Sequence, residues 1–596
     1  MANGHLGRDA HWFDGDGMLS GVSFRKDKAG ATQPEFVNQY ILTDVYIASK
    51  ASPFLKTPIL PSIATLVNPM SSLLNIISRV LRTIVLVVLS HLPGSTWKIK
   101  KISVANTAVL YHDKRALATC ESGPPMRIAL PELDTVGWFD GHQSENEARA
   151  SDSPGFGGTG LFSFMKEWTT AHPRVDPGTQ ELFLFHSAFI PPYVHYSIVA
   201  PSASSKEKDL TRIHTTSLNR PVPGVKSPKL MHDFGITETH TIIMDLPLSL
   251  DPLNLAKCKS VVTYDPSSRS RFGIFPRYQP EQVLWLETNP CCIFHTANSW
   301  DSPSIDADEV QFGTRRVNML ACRLTSASLV FSAGALAAPT PVHSIPPDQE
   351  EEEQCRLYYY EFSLGESDQT SRITQQWALS AIPFEFPSLR DSVSMSPAKY
   401  IYGCSVSDTS FGAALGRAVK IDALVKIDVE TLIQRGKGGP PERIRGCVDM
   451  RSVRDVLASR DPNDPIKIFK MPEGWYAQES RFVPRKGGDC EDDGWILSYV
   501  FDESQLGGDG ECKSAAKSEL WVIDARNMKD IVTRIFLPQR VPYGLHGTWF
   551  SEEQVNGQRP YERVRELPPK RTEHQASSMA WKGWLSVTAR IEEWLQ

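Results

Sequence analysis

Four histidines set the strictest condition on how this chain can fold. His172 stands after a loop and ahead of a strand in TTAHPRVDPGTQELFLF. His232 precedes the Phe-Gly turn of MHDFGITETHTIIMD, where residues 239–244 alternate as a strand does. His295 ends the apolar run of QVLWLETNPCCIFHTANSWD. His546 lies in RVPYGLHGTWF between Gly544 and Gly547. The successive separations are 60, 63 and 251 residues, spacings that no local metal-binding motif has. One such histidine is more often a packed or surface residue than a ligand. Four in comparable settings can meet only in a closed or cyclic fold.

The rest of the pattern agrees with a closed β architecture. A chain of 596 residues with 41% hydrophobic and 22% charged residues is an ordinary globular protein with material for a large core. Its net charge of −6 argues against a general nucleic-acid binder. The ten cysteines show no zinc-like spacing, and the N-terminus has no charged segment followed by an apolar one. Free thiols in a reducing compartment are therefore expected, without a secretory signal. Residues 1–30 are polar and Gly-rich and are expected to be loosely ordered. NQYILTDVYI (38–47) reads as a first strand. From Trp97 the chain is mostly short strands and turns, among them the hairpins TAVLYHDKRALATCES and GWILSYVFDES…SELWVIDARNM. VRDVLASR reads as a helix, and VNMLACRLTS as a second. This predicts an all-β fold, a β-propeller or a large sandwich; a propeller would bring successive inner strands to one axis.

One block interrupts the strands. Residues 52–92 contain no acidic side chain, and residues 52–95 read as an apolar, membrane-contacting insertion. Leu73, Ile76, Ile77, Val80, Leu81, Ile84, Val87 and Val88 fall at helical spacing, with Arg79 and Arg82 on another face. The uninterrupted apolar run is too short for the ~20 residues of a spanning helix. An amphipathic helix lying in the bilayer interface, arginines near lipid phosphates, fits the pattern; a buried core helix is the alternative.

Eight segments in order resemble the carotenoid cleavage oxygenases: LATCESGPP, AHPRVDPGTQEL, MHDFGITETH, CIFHTANSWD, IPFEFP, GWILSYVFDE, ELWVIDARNM and RVPYGLHGTWF. The resemblance covers nearly the whole chain. It implies a single domain over residues 31–596: a seven-bladed β-propeller with a helical and loop cap on the face bearing the substrate tunnel. It implies Fe(II) on the axis, with His172, His232, His295 and His546 as ligands and O₂ as co-substrate. Three glutamates would fix ligand orientation from outside: Glu121 on His232, Glu385 on His295 and Glu479 on His546, with none on His172. Phe234, Phe294, Trp300, Phe384 and Trp549 are candidate walls of an apolar tunnel.

The implied reaction is cleavage of a C=C bond of a carotenoid by O₂, giving two carbonyl products. Among carotenoid-cleaving enzymes the chain looks most like the fungal ones that convert torulene to β-apo-4′-carotenal on the way to neurosporaxanthin, with β-carotene cleavage to retinal as the next reading. A stilbene-cleaving oxygenase of the same fold is the alternative, but that branch carries a Lys where this chain has Cys120. A non-catalytic propeller scaffold would give no reason for the seven polar residues. The implied setting is cytoplasmic, peripherally attached to membranes or lipid bodies.

Overall fold

The computed structural model describes residues 11–51, 63–68, 73–91, 99–148, 153–160, 163–202, 215–303, 315–333, 354–407 and 420–568. Six antiparallel sheets of four or five strands follow one another along the chain. The first occupies residues 108–138, the second 168–221 and the third 235–288. The fourth runs over 292–380 and takes in Cys447–Asp449 as a parallel edge strand. The fifth is built from Glu385–Ser388, Tyr400–Ser405, Ala423–Asp428 and Ile466–Lys470, and the sixth spans 475–536.

The period of two along each strand decides which neighbour each residue meets. In the third sheet the strand His240–Asp245 is buried throughout. Its Ile242 and Met244 pack with Val317 and Met319 of the fourth sheet. Its Ile243 points the other way, onto Phe185 and Tyr196 of the second. The strand Arg315–Leu324 does the same: Met319 and Ala321 face the third sheet, while Leu320, Cys322 and Leu324 join Tyr402, Cys404 and Leu424 of the fifth. This explains why VNMLACRLTS is a strand and not the predicted helix. Both faces are covered, so Met319–Cys322 are apolar without a break and no alternation marks them. Faces meeting in this cyclic order make a β-propeller. Among the described residues six sheets form blades, where seven were predicted.

Two further pairs flank the blades. Leu248–Leu250 pairs with Val262–Tyr264. Met18–Lys26 pairs with Thr32–Tyr40 over nine residues, so residues 18–26 are a strand and not the loose segment expected of 1–30. The ribbon's Leu19 and Val37 lie on Ala116, Ala118, Met126 and Ile128 of the first sheet. On its other side the Tyr499 hydroxyl of the sixth sheet donates to Ser20 O at 3.2 Å. The predicted strand 38–47 ends at Tyr40. Thr43 Oγ1 accepts from Tyr46 N at 3.1 Å, which caps the helix Asp44–Ala51. The cysteines are all free.

The apolar block contains the helix Leu73–Ser90. It is apolar on two sides. Ile76 packs against Leu255 and Val261. Leu86 and Val87 pack against Ile99 and Ile102, next to Met165 and Trp168. Leu74, Ile77, Val80 and Leu81 are exposed, at 65%, 44%, 40% and 56%, and Ile84 and Val88 are half-buried. Ile76 and Val87 are therefore core residues and not part of an outward patch. Arg82 is buried too, and does not reach outward as predicted. Among the described residues no helix is long and apolar enough to cross a membrane.

Candidate metal centre

Each of the four histidines is delivered by a break in regular structure near the axis. His172 follows the short strand Trp168–Thr169. Its N–H donates to Thr170 Oγ1 at 3.1 Å, and that hydroxyl donates to His232 O at 2.7 Å, which ties the two segments together. His232 precedes the strand Gly235–Ile236. A Cβ on Gly235 would lie 2.7 Å from Ser299 Oγ, so a larger residue here would have to push that hydroxyl aside. His295 lies inside the strand Cys292–Ser302, where the register to the next strand shifts between Ile293 and Thr296 and again before Asn298. A bulge turns a side chain off the alternation of its strand, which is how this histidine reaches the axis. His546 has φ +53°, the left-handed region that a non-glycine residue seldom adopts.

The structure brings all four together. His172 Nε2 lies 2.9 Å from His232 Nε2, which lies 3.3 Å from His295 Nε2. One nitrogen from each of the four lies within 4.8 Å of the others. The imidazoles of His172 and His546 are 4.5 Å apart between ring centres, those of His295 and His546 4.9 Å.

Three of the outer nitrogens meet the carboxylates that the family resemblance pairs with them. His232 Nδ1 bonds Glu121 Oε1. His295 Nδ1 lies 2.6 Å from Glu385 Oε2, and His546 Nδ1 2.6 Å from Glu479 Oε2. Glu479 Oε2 also accepts the backbone N–H of His546 at 2.7 Å, which holds the strained residue in place. Among the described residues no carboxylate bonds His172. A carboxylate accepting from Nδ1 leaves Nε2 as a bare lone pair facing inward.

Charge and burial act in opposite directions here. Burial pushes the Glu385 carboxyl up to about 8. Burial also opposes ionisation of Glu121 and Glu479, but the His232 and His546 imidazoles beside them outweigh it, and both stay below the usual carboxylate range. Burial and then the neighbouring imidazoles push His172 and His295 well below the ordinary histidine value. Neutral imidazoles are the ligand form. Nitrogens bound at about 2.1 Å to one ion stand about 3 Å apart when adjacent and about 4 Å when opposite. The 2.9 and 3.3 Å spacings fit adjacent ligands of one first-row metal ion, and imidazole donors suit iron among these.

The five proposed tunnel walls separate. Phe294 lies beside the cluster, its ring centre 5.6 Å from that of His232. Phe234 instead packs on Phe185 within the blades, Trp300 stacks on Tyr359, and Phe384 fills the space over Gly403. Trp549 is 37% exposed and touches Phe24. Sequence reasoning missed Phe386, which lies 5.4 Å from His295 and 5.8 Å from His546. It has φ +55° in an irregular pairing after Glu385, so alternation from Phe384 misplaces it.

Residues 3–551 match the family model described as retinal pigment epithelial membrane protein. Carotenoid dioxygenase carX of Gibberella fujikuroi is 53% identical, over 99% of this chain and 89% of that relative. The chain is a carotenoid oxygenase. This carotenoid oxygenase is similar to the carotenoid 9,10(9′,10′)-cleavage dioxygenase 1 of Arabidopsis thaliana, 29% identical over 92% of the chain and 82% of the relative. In fold it is similar to the lignostilbene dioxygenase of Pseudomonas brassicacearum, with a TM-score of 0.57 at 19% identity, over 91% of this chain and 88% of that one. It is similar also to a cobalt-substituted Synechocystis oxygenase, with a TM-score of 0.55 at 17% identity, over 91% and 88%.

Proposed function

We propose that this carotenoid oxygenase holds Fe(II) on His172, His232, His295 and His546 and uses O₂ to split a C=C bond of torulene, giving β-apo-4′-carotenal and a second carbonyl fragment. The observation that carries the iron reading is the convergence of four imidazole nitrogens backed by three carboxylates. Iron, when bound, supplies the binding and activation of O₂. The chain's own residues do the rest. Glu121, Glu385 and Glu479 keep three imidazoles in one tautomer and aim their inner nitrogens. Phe294 and Phe386 give the cluster apolar walls, which suit a polyene and exclude water. Torulene rests on the overall resemblance and on the 53% identity to a fungal carotenoid dioxygenase; β-carotene is the competing substrate. A phenolic stilbene fits less well, because the side chain before Glu121 is the thiol of Cys120, buried on the hydroxyls of Ser103 and Ser122 at 3.0 Å each.

We also infer a seventh blade and a membrane-facing cap. The ribbon 18–40 touches both the first and the sixth sheet, which supports its standing in the ring as a reduced blade. The helix Leu73–Ser90 would form part of the cap. Its inner face reaches Trp168, four residues from His172, and its outer face presents Leu74, Ile77, Val80 and Leu81. Exposed aliphatic residues in one stripe support peripheral attachment to a membrane or lipid body from the cytoplasmic side.

Incubation with torulene and with β-carotene, followed by identification of the aldehydes, tests the substrate. A β-apo-4′-carotenal product supports the reading, and retinal from β-carotene with torulene untouched overturns it. For the metal, His546→Ala should lose iron and activity while the propeller stays folded. Full iron occupancy in that variant would remove His546 from the ligand set.

A further inference from the structure

A carboxylate outside the histidine cluster ties three of its four segments together. Arg174, Asp233 and Thr296 lie one or two residues after His172, His232 and His295. Asp233 is fully buried. Its Oδ2 accepts from Thr296 N at 2.7 Å and from Arg174 Nη2 at 2.5 Å, and lies 3.1 Å from Thr296 Oγ1. The same Arg174 nitrogen donates to Thr296 O at 3.0 Å and lies 2.7 Å from Thr296 Oγ1. Thr296 Oγ1 lies 3.0 Å from Phe234 O as well, so its one hydroxyl proton goes either to that carbonyl or to Asp233 Oδ2.

The position of Thr296 gives this arrangement its meaning. It sits in the bulge that turns His295 toward the axis. A bulge takes backbone groups out of the ladder, and buried backbone groups must find other partners. Here the N–H of Thr296 goes to Asp233 and its carbonyl to Arg174. Both partners come from the segments that carry the other two histidines. The bulge is thus held in shape by the neighbours of His232 and His172, and a shift in any one segment is transmitted to all three.

We propose that Asp233 is a positioning residue for the metal centre, acting with Arg174 on the backbone of Thr296 to fix the direction of His295 relative to His172 and His232. This rests on the reading of the four histidines as metal ligands. An ion pair that merely stabilises the fold would have no effect on the ligand geometry, and that separates the two roles.

The test uses Co(II) as the probe, loaded into the full-length protein, with affinity read by chelator competition and ligand geometry by the visible absorption bands. Asp233→Ala should bind Co(II) on the order of 10–100-fold more weakly with displaced bands. Asp492→Ala serves as control: it breaks the buried pair, 2.6 Å, between Lys426 of the fifth sheet and Asp492 in the turn before Gly494–Asp502, and should lower the melting temperature yet leave Co(II) affinity and bands unchanged. If Asp233→Ala fails to fold, Arg174→Ala and Thr296→Val are read instead. Arg174 is partly exposed and Thr296→Val keeps the side-chain shape, so both should fold and bind several-fold more weakly with displaced bands. Parent-like affinity and bands in Asp233→Ala, or in both of the milder variants, overturn the proposal. In that case a parent that binds Co(II), and loses it in His546→Ala, leaves the metal reading standing. A parent that binds no metal at all overturns both.

Discussion

Glu385 is under two opposing demands, and a single substitution separates them. In the metal-free site its carboxyl is deeply buried against a neutral His295, and burial holds it up at about 8 from 4.5. An acid whose folded value is raised weakens the fold as pH climbs from about 4.5 to about 8, because the unfolded chain ionises first. Glu385→Gln removes that penalty. The metal-free variant should therefore melt higher than the metal-free parent at pH 8, and this advantage should vanish near pH 4.5. With metal the sign reverses. The neutral amide is a poorer acceptor for His295 Nδ1, and iron affinity or activity should fall on the order of 10–100-fold. Calorimetry of the stripped proteins and metal competition read the two effects; a variant equal to the parent in both would mean that Glu385 does not support His295. At this scale the sequence was most legible where residues resemble a known set: all four histidines and all three glutamates meet as paired. It was least legible for the walls. Whether Phe384 or Phe386 faces the cluster turns on a local irregularity at Glu385, and no pattern of apolar residues records that. Asp233 was hidden for a similar reason, because its partner is a bulge that only the folded strand contains.

At the scale of elements, periodicity located the apolar helix but could not orient it. Leu73–Ser90 is apolar on two faces, so spacing alone cannot say which one the protein covers. The structure divides them. Ile76, Leu86 and Val87 are inside, while Leu74, Ile77 and Leu81 are outside. Changing Leu74, Ile77 and Leu81 to Ser should therefore reduce liposome binding and cleavage of bilayer-held carotenoid, and leave the melting temperature nearly unchanged. Each lost aliphatic contact with lipid removes at most ~1.5–3 kcal/mol, so three together could release the protein. Val87→Ser should behave in the opposite way, lowering stability by about 2–4 kcal/mol through a cavity and a buried hydroxyl, with liposome binding retained in the folded fraction. Co-sedimentation with vesicles reads the first effect and thermal unfolding the second. A triple variant that binds vesicles like the parent would sink the membrane reading of this stripe. The same ambiguity explains the strand Arg315–Leu324: covered on both faces, it carries apolar residues without alternation at Met319–Cys322 and so read as a helix.

At the scale of the whole molecule, a propeller must join its last blade to its first. The ribbon 18–40 touches both of those sheets, packing Leu19 and Val37 on the first and receiving the Tyr499 hydroxyl from the sixth. The ribbon left little trace in the sequence, because neither of its strands buries a residue fully and its polar composition resembles a loose terminus. Parts of the metal site also lie on both of those sheets. Glu121 belongs to the segment after Arg115–Thr119 in the first sheet. Glu479 stands between Trp475–Ala477 and Arg481–Pro484 of the sixth. If the ribbon closes the ring, then replacing residues 18–40 by a short link from Gly17 to Ile41, whose backbones already bond at 2.8 Å, should let the two sheets move apart. The exposed face of Ala118, Met126 and Ile128 would cost on the order of several kcal/mol, and the melting temperature should fall by several degrees. Iron affinity should fall with it, although no residue of the ribbon reaches the histidines, because the acceptors of His232 and His546 sit on opposite sides of the opened seam. Tyr499→Phe removes one hydrogen bond to the ribbon, worth about 1 kcal/mol, and should move both quantities slightly in the same direction. A truncated protein that keeps the parent's iron affinity while losing stability would make the ribbon a cover for the first sheet and not a member of the ring.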